Sequence, residues 1–385
     1  MHKAKRYIIY FCIFLHRLIH GIKKNTVVFI SFDGKTYSDN PRGISEMLYK
    51  MAPEIEIKWL FINPESKKNT VPSYVKAINA GNTIKIYLEM ATAGVFVSNF
   101  SLPLLHKNKK QLFIQTWHGD KAFKKILYDS AFMTADKLVS ESIDGYCDYA
   151  IAGSGYGERQ YRSAFRYTGE IINQGMPRND KLININQEEI SKIKTELGIC
   201  SDTGVLMYAP TLRRKNQGNR TAQEVKGLNI SSLLSILENK YNKKWVCLLR
   251  AHPAVDTLGN INCDERIIDV TKYEDMSDLL LISDMLITDY SSCAGDFALL
   301  RRPIILFQCD REEYMKKDRT FYFNIEDSPY FVAESQEEIE VIINDMSVEK
   351  AKRNCEEILE FYGNTETGRS SEIVAQKIIE WVKAD

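Results

Sequence analysis

DMLITDYSSCAGDFALLRRPIILFQ, residues 284–308, decides the fold class. An apolar run ends in a polar turn, a segment of helical character follows, and a second apolar run opens after Pro303. Two short buried runs joined through a helix suit a parallel sheet, whose neighbouring strands need a crossover connection. Outward from this unit, GVLMYAPT, KWVCLLRAHP and RIIDV supply further candidate strands of the same half. Upstream, VVFISF, IKWLFIN, GVFVSN, QLFIQTW, YAIAGS and EIINQG repeat the design. The pattern predicts an α/β protein with two doubly wound parallel sheets.

A chain of 385 residues exceeds one hydrophobic core, so two domains are expected. The junction is placed in 181–203, where the polar, helix-like QEEISKIKTELG ends in Gly198 as a C-cap. The expected division is 1–24, a basic apolar helix; 25–185, a first α/β domain; 200–360, a second; and 361–385, a C-terminal helix that crosses back to the first domain. Two open sheets in one chain put a crevice at the carboxyl ends of their strands, where ligands of such folds bind. Residues just after strands are therefore the ones to inspect.

Lys plus Arg equals Asp plus Glu at 51 each, so no overall field favours nucleic acid. The distribution is uneven. No acidic residue precedes Asp33, while Lys3, Lys5, Arg6, Arg17, Lys23 and Lys24 make the start basic. Between these charges, YIIYFCIFL spans Tyr7 to Leu15, about 14 Å as a helix and too short for a bilayer. With no small-residue cleavage site after it, the segment reads better as an interfacial helix on an anionic membrane surface than as a secretory signal. Packing on the protein's own core is the alternative. The eight cysteines form no C-x-x-C pair and no zinc-finger spacing, which suits a reducing cytoplasm.

QTWHGD, residues 115–120, puts His118 directly after an apolar run, with Gly119 expected to make the sharp turn that aims the imidazole. Histidine is the side chain best suited to take a proton near neutral pH. LLRAHP, residues 248–253, repeats the arrangement with Arg250 and His252. YAPTLRR, residues 208–214, ends a strand with Thr211, Arg213 and Arg214, suited to phosphate oxygens. ITDYSS, residues 287–292, offers Asp289, Ser291 and Ser292 before a helix start, either as an anion site or as simple helix caps. Asp296, about one turn further on, could reach a ribose hydroxyl or be an ordinary solvated or salt-bridged acid. Arg178, in GMPRND, could hold an acceptor phosphate or sit in a surface turn. These residue types suggest a cleft transferase for a nucleotide diphosphate without naming the transferred group.

Taken in order, QTWHG, CDYAIAGS, GMPRND, YAPTLR, RAHP, LLLISDMLITDYSS, DFALLRRPIILFQCD and FYFNIED resemble the CDP-glycerol glycerophosphotransferase family of teichoic acid synthesis. The resemblance spans roughly residues 25–380. It implies two Rossmann-like domains facing a cleft in the GT-B arrangement, and a peripheral protein on the cytoplasmic face of the cell membrane. By this resemblance His118 is the base, and His252 is a second essential histidine near the donor phosphates. Asp289, Ser291 and Ser292 line the donor site, joined by Arg213, Arg250 and Asp296. After WHG the family usually has a small residue and a proline before its lysine, whereas this chain reads Asp120, Lys121, Ala122, Phe123, Lys124. That loop is expected to face the acceptor, so Asp120 and Lys121 join Arg178 there.

The implied reaction moves glycerol phosphate from CDP-glycerol to a polyprenyl-diphosphate-linked saccharide, with release of CMP. Fixed cations are expected to balance phosphate charge, with no metal and no other cofactor. The expected partners are the donor, the lipid-linked acceptor and an anionic membrane surface, with no nucleic acid; a homo-oligomer is left open. A CDP-ribitol phosphotransferase and a sugar glycosyltransferase of the same fold are the rivals, and a non-enzymatic scaffold is disfavoured because both histidines are present.

Overall fold

The computed structural model describes residues 3–67, 70–81, 83–102, 107–130, 143–211, 228–251, 264–317 and 320–384. The chain divides into two compact units. The first contains residues 1–120, 126–180 and 365–385; the second contains 121–125 and 181–364. The change at Asp180/Lys181 leaves the helix Gln187–Glu196 in the second unit.

The first unit is built on a seven-stranded sheet: β1 (Lys23–Ile30), β2 (Glu56–Phe61), β3 (Val75–Asn79), β4 (Ala93–Ser98), β5 (Leu112–Gln115), β6 (Tyr149–Ala152) and β7 (Glu170–Asn173). Their order is β3-β2-β1-β4-β5-β6-β7, with every pairing parallel. Alternation along β1 shows why both faces need cover. Val27 and Phe29 pack with Trp59 and Phe61 beneath Ile44, Leu48, Val374 and Ile378 of the helices Asp39–Met51 and Ser370–Lys383. Val28 and Ile30 face Tyr87 and Met90 of the helix Thr83–Thr92, and Ile9 and Ile13 of the helix Lys3–His20.

The helix Lys3–His20 thus belongs to the core of the first unit, and it is also amphipathic in an unusual sense. Ile9 and Ile13 are buried, while Tyr7, Ile8, Phe11, Phe14, Leu18 and Ile19 stand exposed. Arg17 is turned into the first unit, unlike the exposed Lys23 and Lys24. Its Nε donates to the carbonyl of Ala91 and its Nη2 to Gln111 Oε1, both at 3.0 Å. Among the described residues no helix is long and apolar enough to cross a membrane.

The second unit carries six strands: β8 (Gly204–Ala209), β9 (Trp245–Leu249), β10 (Ile267–Asp269), β11 (Met285–Thr288), β12 (Ile304–Phe307) and β13 (Phe331–Ala333). Their order is β10-β9-β8-β11-β12-β13, again parallel throughout. The fold class read from the sequence is therefore the one observed. Two edge strands escaped that reading, β3 (VKAIN) and β13 (FVA), because an edge needs only one apolar flank and neither forms a clear Val/Ile run. In each sheet the order reverses once, between β1 and β4 and between β8 and β11. At such points the connections leave in opposite directions and open a crevice at the strand ends.

Candidate functional site

In the first unit, side chains and backbone at the ends of β1, β4 and β5 tie three loops together. Asn99, after β4, accepts a hydrogen bond from the Phe32 backbone N–H at 2.9 Å and donates to Ser31 Oγ at 3.1 Å. Gln115 ends β5, accepting from the Trp117 N–H at 2.9 Å and donating to the carbonyl of Phe100 at 2.9 Å. The chain then turns through Trp117 itself, whose φ of 51° is left-handed. Gly119, expected to make this turn, has no such φ; the glutamine clamp on the Trp117 N–H imposes the strained geometry one step earlier.

That turn delivers His118. Its Nδ1 lies 2.9 Å from the carbonyl of Asn99, and its ring stacks on Phe100 with centroids 5.2 Å apart and planes 7° off parallel. A carbonyl can only accept, so Nδ1 carries the proton and the Nε2 lone pair is left for chemistry. Burial lowers the pKa of His118 below its usual 6.5; the Asn99 bond, Asp39 and Asp33 oppose the shift, while Arg178 adds to it. The neutral, proton-accepting form is favoured at neutral pH.

Charged residues that sequence reasoning passed over surround this histidine. Phe32 and Asp33, directly after β1, and Asp39 have left-handed φ values of 45°, 57° and 64°. Burial raises the pKa of Asp33, against the pull of Lys35 and His118. Asn40 is fully buried: its Nδ2 donates to the carbonyls of Trp117 at 3.0 Å and Thr116 at 3.4 Å, and its Oδ1 accepts from the Arg178 N–H at 3.1 Å. The position of SFDGKTYSDN after a strand was the available signal, since the strand-end filter applies to it as much as to QTWHGD.

Arg178 is not in a surface turn. It is buried in the short turn Pro177–Asn179, with Nη1 3.5 Å from both carboxylate oxygens of Asp39. Behind it, Glu366 accepts from the Met176 N–H at 2.9 Å and from Asn179 Nδ2 at 2.7 Å. A Cβ at Gly153 or Gly175 would meet that carboxylate at 2.4 or 2.7 Å, so both glycines are fitted to it.

The two loop residues expected toward an acceptor are turned inward instead. Asp120 is 4% exposed and accepts from the Gly153 N–H at 3.0 Å. Lys121, in the second unit, is fully buried with Nζ 3.9 Å from Asp296 and its stem against Gly295. A buried carboxylate needs donors and a buried ammonium needs an anion, and each finds its partner within the protein. Asp296 accordingly faces a lysine and is buried, which is the salt-bridged alternative of the sequence reading.

In the second unit, Asp289 bridges the β8/β11 reversal. Its carboxylate accepts from the Thr211 N–H at 2.9 Å and from the Thr211 hydroxyl, and its carbonyl accepts from Gln308 Nε2 at 3.0 Å. It therefore fixes Thr211 after β8 and has little capacity left for a ligand. Ser291 and Ser292 remain half-exposed after β11; the Ser292 hydroxyl caps nothing, and Ser291 Oγ accepts a long bond of 3.4 Å from the Cys293 N–H. The helix that follows, Cys293–Phe297, is only five residues, so its terminal dipole is slight and the hydroxyls themselves are the polar feature. Arg250, after β9, donates through Nη1 to the carbonyl of Tyr273 at 2.8 Å, and burial lowers its pKa against the pull of Asp275. Arg213 and His252 lie outside the described residues. Among the described residues, no group of three His, Cys, Asp or Glu side chains is arranged to hold a metal ion.

Comparison with known proteins adds four findings. A family model described as CDP-glycerol:poly(glycerophosphate) glycerophosphotransferase matches residues 10–380. A teichoic acid poly(glycerol phosphate) polymerase of Staphylococcus epidermidis is 37% identical over 328 residues, covering 80% of this chain and 44% of that protein. A Bacillus spizizenii protein of the same description is 31% identical over 382 residues, covering 94% of each chain. The chain thus spans under half the length of the first relative and nearly all of the second. The solved structure of the wall teichoic acid polymerase TagF, in a variant soaked with CDPG, superposes with a TM-score of 0.83 at 29% identity, covering 100% of this chain and 99% of that one.

Proposed function

The chain belongs to the CDP-glycerol:poly(glycerophosphate) glycerophosphotransferase family, and on that premise we propose that it transfers glycerol phosphate from CDP-glycerol to a membrane-held, polyprenyl-diphosphate-linked saccharide in the synthesis of teichoic acid or a related surface polymer. In this reaction His118 Nε2 removes the proton of an acceptor hydroxyl, and the oxygen attacks the phosphorus that bears glycerol. The bond from that phosphorus to the bridging oxygen breaks, and CMP leaves with the electron pair. Arg250, Ser291 and Ser292 bind the donor diphosphate, with Arg213 and His252 assigned there from sequence; Asp289 holds Thr211 after β8. The observation that carries the reading is His118 itself: its tautomer is set by the Asn99 carbonyl, and burial keeps it unprotonated at neutral pH.

The chain acts at the cytoplasmic face of the cell membrane in this reading. Support comes from the exposed row Tyr7, Phe11, Phe14 and Leu18, which repeats at helical spacing beside the basic Lys23 and Lys24.

The test is to incubate the purified protein with CDP-glycerol and a lipid-linked disaccharide and to follow CMP and product mass. Release of CMP with product growth by glycerol phosphate units is expected. His118→Ala should lower turnover about a hundredfold or more, the usual share of a general base. Absence of CMP release by the wild-type protein with that donor and acceptor would overturn the reading.

A further inference from the structure

We propose that Asn40 is a positioning residue for His118: its side-chain amide fixes the peptide group from which the imidazole projects. The inference deepens the proposed transfer reaction and rests on it for the catalytic consequence alone, since the state of the imidazole can be read without turnover.

Asn40 stands in the first turn of the helix Asp39–Met51, whose Ile44 and Leu48 lie in the core of the first unit. It is fully buried, so its amide must find partners within the protein. Oδ1 accepts from the backbone N–H of Arg178 at 3.1 Å. That bond settles which way the amide faces, because an N–H can only donate. Nδ2 is thereby directed at the carbonyls of Trp117 at 3.0 Å and Thr116 at 3.4 Å.

The Arg178 N–H is itself presented by a braced turn. The Asn179 N–H donates to the Met176 carbonyl at 2.8 Å, and Ser371 Oγ donates to the Pro177 carbonyl at 3.2 Å. Asp180 accepts from the N–H groups of Ser370 and Ser371 at 2.9 and 2.7 Å, which ties the turn to the helix Ser370–Lys383. Asn40 therefore leans on one fixed segment and reaches to another.

The segment it reaches is the one that carries His118. Trp117 is held at both ends: its N–H donates to Gln115 Oε1 at 2.9 Å, and its carbonyl accepts from Asn40 Nδ2 and from Thr116 Oγ1 at 3.1 Å. Its left-handed φ of 51° persists because those contacts impose it. The Trp117 carbonyl belongs to the same planar peptide group as the His118 N–H, so fixing it fixes the direction in which His118 leaves the backbone. At the far end the ring meets the Asn99 carbonyl through Nδ1 at 2.9 Å. It stands against Trp117, Phe100 and Phe32, with centroids 4.2, 5.2 and 5.6 Å away. These aromatic walls confine the ring but do not choose which nitrogen holds the proton. The Asn99 bond does, and it lasts while the His118 backbone stays in place.

The test reads the ring nitrogens of His118 by nitrogen NMR on the isotope-labelled full chain without substrate, at a pH where the imidazole is neutral. The resonances are assigned by their loss in His118→Gln. In the wild type the two shifts should be widely separated, with the proton on Nδ1. Asn40→Leu fills the same space without a donor and should draw the two shifts together as the second tautomer becomes populated. In the transfer assay this variant should lose kcat by about tenfold to a hundredfold, the penalty for displacing a reacting group by about 1 Å, while its affinity for CDP-glycerol in calorimetry stays near wild type. Asn40→Ala, which leaves room for water, serves where Asn40→Leu does not fold as judged by circular dichroism. Wild-type shifts that are already averaged, or a folded variant that keeps the wild-type pair of shifts, would overturn the inference. So would failure of both variants to fold, since Asn40 would then be a support of the core alone. If the shifts draw together while kcat holds, Asn40 positions His118 as inferred, and the assignment of His118 as the base is what fails.

Discussion

The carboxylate of Asp120 occupies the space that a side chain on Gly157 would need. The same Oδ1 that accepts from the Gly153 N–H at 3.0 Å would lie 1.8 Å from a Cβ added at Gly157. Gly157 sits in the first turn of the helix Gly155–Ser163, and its N–H is taken by the Ser154 cap at 2.9 Å. The WHGD loop and the start of this helix are therefore built against each other. Gly157→Ala should destabilise the protein by about 1 to 3 kcal/mol through overpacking. In an Asp120→Ala background most of that penalty should vanish, because the colliding atom is gone. Urea unfolding of the four proteins in a double-mutant cycle measures the coupling, and additive effects would show that the collision is not the cause.

The two histidines should differ in what they lose. His118 is assigned to proton removal, so His118→Ala should leave donor affinity nearly unchanged while turnover falls. His252 is assigned to the diphosphate in both the ground and transition states, so His252→Ala should lose turnover and donor affinity together. Isothermal titration with CDP-glycerol beside single-turnover kinetics separates the two outcomes. Because burial lowers the pKa of His118 from 6.5, the acid limb of the wild-type profile should lie below pH 6.5: protonation as pH falls removes the base.

Ser291 and Ser292 should matter for binding more than for folding. Their hydroxyls stand half-exposed after β11, and the Ser292 hydroxyl caps no helix. The double change Ser291→Ala, Ser292→Ala should weaken CDP-glycerol binding more than tenfold, since hydrogen bonds to charged oxygens contribute about 1.5 to 3 kcal/mol each. Asp289→Asn should act differently, by loosening its hold on Thr211, and should lower thermal stability as well as affinity. Calorimetric titration and melting curves on the same samples distinguish a ligand contact from a loop support.

The exposed face of the helix Lys3–His20 offers a separate handle from its buried face. Replacing Phe11, Phe14 and Leu18 with serine removes large apolar groups that are 61%, 57% and 70% exposed, so stability should change little. Sedimentation with anionic vesicles should fall by more than tenfold, as each such side chain contributes about 1.5 to 3 kcal/mol when fully buried. Ile9→Ser and Ile13→Ser should instead destabilise the first unit, because both side chains lie in its core. Vesicle binding should also weaken with added salt, which screens lysines near the surface.

The architecture was legible because its signals are local. A buried parallel strand announces itself as a short apolar run, and of the thirteen strands among the described residues eleven were read from such runs; β3 and β13 were not. The positions of His118, Arg250, Asp289, Ser291 and Ser292 just after strands followed from the same reading.

What surrounds those residues was decided by tertiary structure alone. Thr211 and Asp289 are 78 positions apart, and Asn40 and Arg178 are 138 apart; no local pattern pairs them, since the sheet order that brings them together is not written in any one segment. For the same reason, Asp120 and Lys121 read as loop residues yet fold inward, one to a backbone N–H and the other to Asp296. The sequence by itself determined the strand and helix pattern and the chemical types at the strand ends. The fold decided which of those charges are occupied by the protein and which are left to act, because burial and long-range partners, not residue type, govern that difference.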